Sequence, residues 1–211
     1  MSQQSDSLLD AAAHLILEDD FGAVNVARVA SYAGVSEDAV LEEFGSLDTL
    51  LVAMLNREFA RIWRSIADHV ERDPRGGLLS HIYRYTLAGV YERPLARALF
   101  LTDRDALNRI MRASHSFRYI PDFGVRAVFI ERMKEAGMVR PEVDAEQLSA
   151  VLTAVSAGAA LNAPHAELDL VIEGLAALLA EAVDADVDDT TPGKTIFFEY
   201  ARTLARAPRR E

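Results

Sequence analysis

Apolar positions recur every three or four residues along most of the 211-residue chain, and no stretch alternates convincingly between apolar and polar. That period places one apolar stripe per helix, so the chain reads as all-α. The pattern predicts helices over Asp6–Asp19, Val26–Ala33, Glu37–Phe44, Leu47–Val70, Leu78–Tyr91, Pro94–Leu101, Asp105–Ala113, Phe123–Ala136, Ala145–Asn162, Leu168–Val183 and Thr195–Ala207. Asp73-Pro74-Arg75-Gly76-Gly77 interrupts the pattern, Gly137 ends another helix, and Asp184–Lys194 reads as an acidic, solvated linker. On the long fourth helix Leu51, Met54, Leu55, Phe59 and Ile62 share one face, which is expected to turn inward.

Residues 21–51 carry the most specific local pattern. Asn25 can cap one short helix, Ala33-Gly34-Val35 form a turn, and Ser36 can cap a second helix. Gly34 suits a left-handed helix stop, where a side chain would be strained. Val35 fills the angle between the helices, and Phe44 with Val40 anchors the second helix in a small core. This is a helix-turn-helix, whose second helix enters the DNA major groove in proteins that read DNA with it. The positions Leu8, Leu9, Ala11, Ala12, Leu15, Phe21, Val26, Val29, Ala30, Ala33, Gly34, Val35, Ser36, Phe44, Ser46, Leu50 and Leu51 together resemble the N-terminal domain of the tetracycline-repressor (TetR) family of bacterial regulators. The likeness implies a three-helix helix-turn-helix domain at 1–46, a larger helical effector-binding and dimerisation domain at 47–184, and an acidic linker with a C-terminal helix at 185–211.

Charge departs from the family pattern. Residues 1–56 hold ten acids and one base, Arg28. The second helix opens with Glu37 and Asp38 and continues with Glu42 and Glu43; Leu41, Glu43 and Leu47 stand where the family places aromatic, His or Tyr and Lys contacts to DNA. The residues that would face DNA are therefore Asn25, Arg28, Tyr32, Ser36, Glu37, Asp38 and Glu43. Non-specific DNA affinity comes almost wholly from cations meeting phosphates. A carboxylate about 4 Å from a phosphate costs on the order of 1 kcal/mol in water, so four acids per reading helix oppose that attraction. Residues 57–140 carry sixteen bases against ten acids, with Arg57, Arg61 and Arg64 on one helix face, where they can neutralise the acidic N-terminal domain.

The chain has no cysteine, which excludes disulfides and thiolate chemistry. The start Ser2-Gln3-Gln4-Ser5-Asp6 lacks the features of a signal peptide, and Leu148–Ala163 is too short and too rich in small residues to span a membrane. A cytoplasmic protein with no membrane association is expected. Gly193-Lys194-Thr195 matches the end of a phosphate-binding loop, but Asp188 replaces its first glycine. Asp184, Asp186 and Asp188 have the early spacing of a calcium loop, but Asp189 and Thr195 fail the rest of it. The histidines make no metal spacing and Ser114-His115-Ser116 no triad, so neither catalysis, metal nor cofactor is expected.

Aromatics concentrate in the body: Trp63, His81, Tyr85, Met111, His115, Phe117, Tyr119 and Phe123 are the candidate lining of an effector pocket, in line with what the resemblance implies. Leu148, Val151, Leu152, Val155 and Ala159 stripe one late helix, and Leu168, Val171, Ile172, Leu175, Leu178 and Leu179 the next. The resemblance implies that these pair with their two-fold copies in a homodimer. The expected partners are thus a second copy, a small-molecule effector and a DNA operator. The acids keep a different reading open: a TetR-like fold without DNA binding that acts on a protein partner as antagonist, heterodimer partner or DNA mimic.

Overall fold

The computed structural model describes residues 2–19, 21–99, 126–162 and 167–206, and shows ten α-helices among them. These are α1 (Gln3–Glu18), α2 (Val26–Ala33), α3 (Glu37–Phe44), α4 (Leu47–Arg72), α5 (Leu79–Tyr91), α6 (Pro94–Arg97), α7 (Ala127–Glu135), α8 (Ala145–Asn162), α9 (Leu168–Ala182) and α10 (Thr191–Arg206). No strand occurs among the described residues beyond a single bridge between Val139 and Asp184. The predicted helix Asp105–Ala113 lies outside them.

The chain divides into two compact units, and the division falls inside α4, after Ala60. The first comprises residues up to Ala60 together with the segment that begins at Arg93. Its helix starts are built by side-chain oxygens: Ser2 accepts from the Ser5 amide at 3.1 Å, Asn25 from Arg28 at 2.9 Å and Ser36 from Ala39 at 3.2 Å. Each satisfies an amide that has no partner inside its own helix. Gly34 adopts φ +70° and ends α2, and the Val35 amide closes back on the Ala30 carbonyl at 3.0 Å. Leu8, Leu9, Val29, Val40 and Leu50 are fully buried in one cluster with Leu95 and Leu99, and Phe21, Val35 and Phe44 pack against it. Burying each such side chain contributes about 1.5–3 kcal/mol, which is what holds three short helices together. Leu47 is half-buried and packs against this cluster.

The second unit is built on Arg61–Glu92 and the described residues from Arg126 onward. Here α5 packs on α9, α7 on α8, and α10 on α7. Tyr83 of α5 is almost wholly buried, and its hydroxyl donates to the Leu152 carbonyl at 2.9 Å, tying α5 to α8. The stretch before α10 is only in part the solvated linker that its composition suggests: Asp186, Asp188 and Asp189 are exposed, whereas its two ends are anchored. Asp184 is 4% exposed, Thr190 is buried with its hydroxyl donating to the Pro74 carbonyl at 2.7 Å, and α10 starts at Thr191. The Gly193 of the apparent phosphate loop has a packing role instead. A Cβ there would sit 1.9 Å from the Gly77 carbonyl oxygen, and one on Gly77 would sit 1.9 Å from that of Thr190. Lys194 donates to the Glu71 carbonyl at 2.8 Å, near the end of α4.

Candidate nucleic-acid interface and effector cleft

In the first unit, α2, the Gly34 turn and α3 form the helix-turn-helix. Glu37, Asp38, Glu42 and Glu43 are all exposed on α3. The side-chain oxygens of Asn25 and Ser36 accept from the amides of their own helices. Arg28, the one base before residue 57, forms an ion pair with Asp19 and also donates to the Ala23 carbonyl. Glu43 accepts from the Ser5 hydroxyl of α1. Tyr32 is 55% exposed and stacks on His14 with ring centroids 4.5 Å apart. Two further arginines of this unit are likewise paired with acids: Arg57 with Asp6 and Asp10 on α1, and Arg93 with Glu58 at 2.6 Å. The hydrogen bond to Glu58 pushes the Arg93 pKa up. These pairings neutralise cations inside the unit while the acids of α3 stay in solvent.

The sequence matches the family model for bacterial regulatory proteins of the tetR family over residues 8–54, and the model for the SbtR-like transcriptional regulator C-terminal domain over residues 73–177. The chain belongs to the TetR family. Solved structures of similar fold include the fatty acid degradation regulator FadR from Bacillus halodurans (15% identity, 85% of this chain and 95% of that one, TM-score 0.60). The ketosteroid transcriptional regulator KstR2 of Mycobacterium tuberculosis is similar at 15% identity over 88% of this chain and 97% of that one, with TM-score 0.60. NalD of Pseudomonas aeruginosa, a secondary repressor of the MexAB-OprM multidrug efflux pump, is similar at 20% identity over 88% and 98%, with TM-score 0.57. At these identities the likeness is one of fold. Among curated proteins none matches the sequence.

The TetR-family body contains an open cleft of about 340 Å³ lined by Ser65, His69, Arg84, Tyr85, Ala88, Gly89, Glu92 and Glu173. Of the eight sequence-named pocket residues, Tyr85 lines this cleft, stacked on His69 at 5.1 Å. Its hydroxyl donates to Asp73 at 2.6 Å, and the same carboxylate oxygen takes Nδ1 of His81 at 2.5 Å. Burial and the Asp73 carboxylate push the Tyr85 phenol up to about 12. Burial alone would raise Asp73, but donors from Tyr85, the Arg75 amide and His81 together hold it below the ordinary carboxylate value. Trp63 packs instead against Phe197 of α10 at 6.3 Å and lines neither this cleft nor the one described below. Met111, His115, Phe117, Tyr119 and Phe123 lie outside the described residues. His69 and Asp73 were absent from the sequence-based set. For Asp73 the signal is the spacing of His81 and Tyr85, four apart on one helix face directly after an Asp-bearing turn; nothing local in the sequence marks His69 of α4.

The two apolar stripes divide. Leu152, Ala159, Leu168, Ile172 and Leu179 are buried within the chain itself. Their side chains are core rather than contact surface. Leu148, Val155 and Leu175 are half-buried, whereas Val151, Val171 and Leu178 face solvent, with Leu170 beside them in sequence at 67% exposure. The described helices include none long and apolar enough to cross a membrane.

Proposed function

We propose that this TetR-family chain is a cytoplasmic, dimeric transcriptional regulator, responsive to a small-molecule effector, whose DNA binding is weak or altered by its acidic reading helix. The observation that carries this reading is the exposure of Glu37, Asp38 and Glu42 on α3 while Arg28, Arg57 and Arg93 are ion-paired inside the same unit. A phosphate backbone brought to that face meets carboxylates without released cations to offset them. The dimer contact in this reading is the exposed set Val151, Val171 and Leu178 with its half-buried neighbours, and the Tyr85 cleft is the effector site. The same acidic face also favours a second reading, in which the fold is retained without DNA binding and the chain acts through protein contacts.

The deciding measurement is DNA binding by fluorescence anisotropy, using a fragment from the chain's own promoter region, across about 50–200 mM salt. Weak binding with a shallow salt slope is expected. A steep slope, reporting several phosphate contacts, would overturn the proposal. Neutralising the face with E37Q, D38N and E42Q should strengthen binding roughly tenfold or more, since each removed carboxylate relieves on the order of 1 kcal/mol before screening. No gain would favour the protein-contact reading. Glu43 is left intact because it bonds Ser5, and Leu47 because it supports the core.

A further inference from the structure

A second open cleft, also of about 340 Å³, is lined by Arg75, Leu78, His81, Arg140, Ala180, Asp184, Ala185 and Asp186. Its two arginines come from different parts of the chain, the turn before α5 and the segment between α7 and α8. Both are held by backbone carbonyls of one short stretch: Arg75 donates to Val187 at 3.1 Å, and Arg140 through Nε to Asp184 at 2.9 Å. The Arg140 backbone is fixed as well, its amide donating to the Val183 carbonyl at 2.9 Å beside the Val139–Asp184 bridge.

A carbonyl fixes a guanidinium without cancelling its charge, whereas a carboxylate does both. That sets this pair apart from Arg28, Arg57, Arg84, Arg93 and Arg132, each of which is ion-paired with a carboxylate. Neither Arg75 nor Arg140 has such a partner among the described residues. The nearby acids are mostly engaged elsewhere. Asp184 accepts from both the amide and the hydroxyl of Ser80, and Asp73 holds Nδ1 of His81. Asp186 is the exposed carboxylate that remains in the lining, and the two arginine charges outnumber it.

We propose that this cleft binds a small organic anion with a single oxyanion head, a phosphate or a carboxylate, gripped between Arg75 and Arg140. Planar guanidinium forks match such oxyanions, and pre-anchored arginines lose little side-chain freedom on binding. The site is separate from the Tyr85 cleft and independent of whether α3 reads DNA.

The test titrates the full-length chain with inorganic phosphate and with acetate in separate arms, at ionic strength held constant with chloride. The readout is the ¹H–¹⁵N signals of the arginine Nε–H groups and the backbone amides. Saturable shifts at Arg75, Arg140 and Ala185 are expected in at least one arm, and the arm that responds identifies the head group. R75Q and R140Q should each weaken that binding about tenfold or more, the loss expected for one charge-assisted contact. R84Q, in the other cleft, should leave it unchanged. If R140Q fails to fold by circular dichroism, R75Q, on an exposed turn residue, decides alone. Drift that never saturates, a silent pair of arms, or equal affinity in R75Q would overturn the proposal.

Discussion

In the helix-turn-helix unit, Arg28, Arg57 and Arg93 are matched to carboxylates and the acids of the reading helix are left in water. In the body, Arg75 and Arg140 are held by carbonyls, while Asp73 and Asp184 are drawn inward to organise the turn before α5. The same residue types therefore shape the outer field of one unit and stitch the other together. The contrast teaches that net charge per segment is a poor guide to which charges a partner can meet. What matters is the group that already occupies each one.

The sharpest way to break the body's stitching is to add one methyl group. G77A or G193A would push a Cβ against backbone on the other side of the crossing, where no side chain can move away. A loss of about 3 kcal/mol or more in urea unfolding is expected, beyond ordinary overpacking because the obstacle is main chain. G174A, in open space on α9, should by contrast gain up to about 1 kcal/mol as a helix-propensity effect. Equal stability of G77A and wild type would mean that the backbones can separate at this crossing without loss.

A second test separates the internal stripe of α9 from its outer one. L178R places a charge on a side chain that is 68% exposed, so the fold should survive while a dimer built on this face dissociates. L179R, at a side chain 4% exposed, should unfold the chain. Sedimentation with circular dichroism reads both, and a wild type that is monomeric at micromolar concentration would rule out the dimer.

The smallest expected effect is in pH dependence, where two carboxylates of the body act with opposite sign. Burial holds Asp184 above its ordinary value of 3.8, in spite of the bonds from Ser80, so the folded chain prefers it protonated. Its contribution to stability is full below that value and is lost as pH rises through the raised one. Asp73, held below 3.8, contributes above that value and loses the contribution as pH falls through its depressed pKa. Urea melts between about pH 3 and 7 should show D73N flattening the acid limb and D184N flattening the limb above it. Unchanged profiles in both variants would remove these two groups from the pH response.

The fold was largely legible because its signals are local. Asn25, Gly34 and Ser36 are neighbours of the helix ends they set, and α2 and α3 span the residues that the pattern predicts. The misses trace to missed or distant partners. α1 begins at Gln3, earlier than its apolar stripe, because Ser2 caps it. α10 begins at Thr191 rather than Thr195, and Pro192 in its first turn was the available signal. Asp184 reads as linker because nothing near it in sequence announces Ser80. The same holds for the anion cleft, whose arginines lie 65 positions apart and meet only through carbonyls that carry no residue identity. The acidic reading helix was legible in full, since exposure of α3 follows from its own pattern.

Leu78 precedes α5 with no side chain able to cap it, and the oxygens that satisfy Ser80 at the helix start come from Asp184, 104 residues later. During translation, α5 leaves the ribosome with its first turn open, and the 104 residues from Ser80 to Asp184 must emerge before it closes. Synthesis order therefore makes the body's folding a late event, whereas the short helices of the helix-turn-helix carry their own caps as they are made.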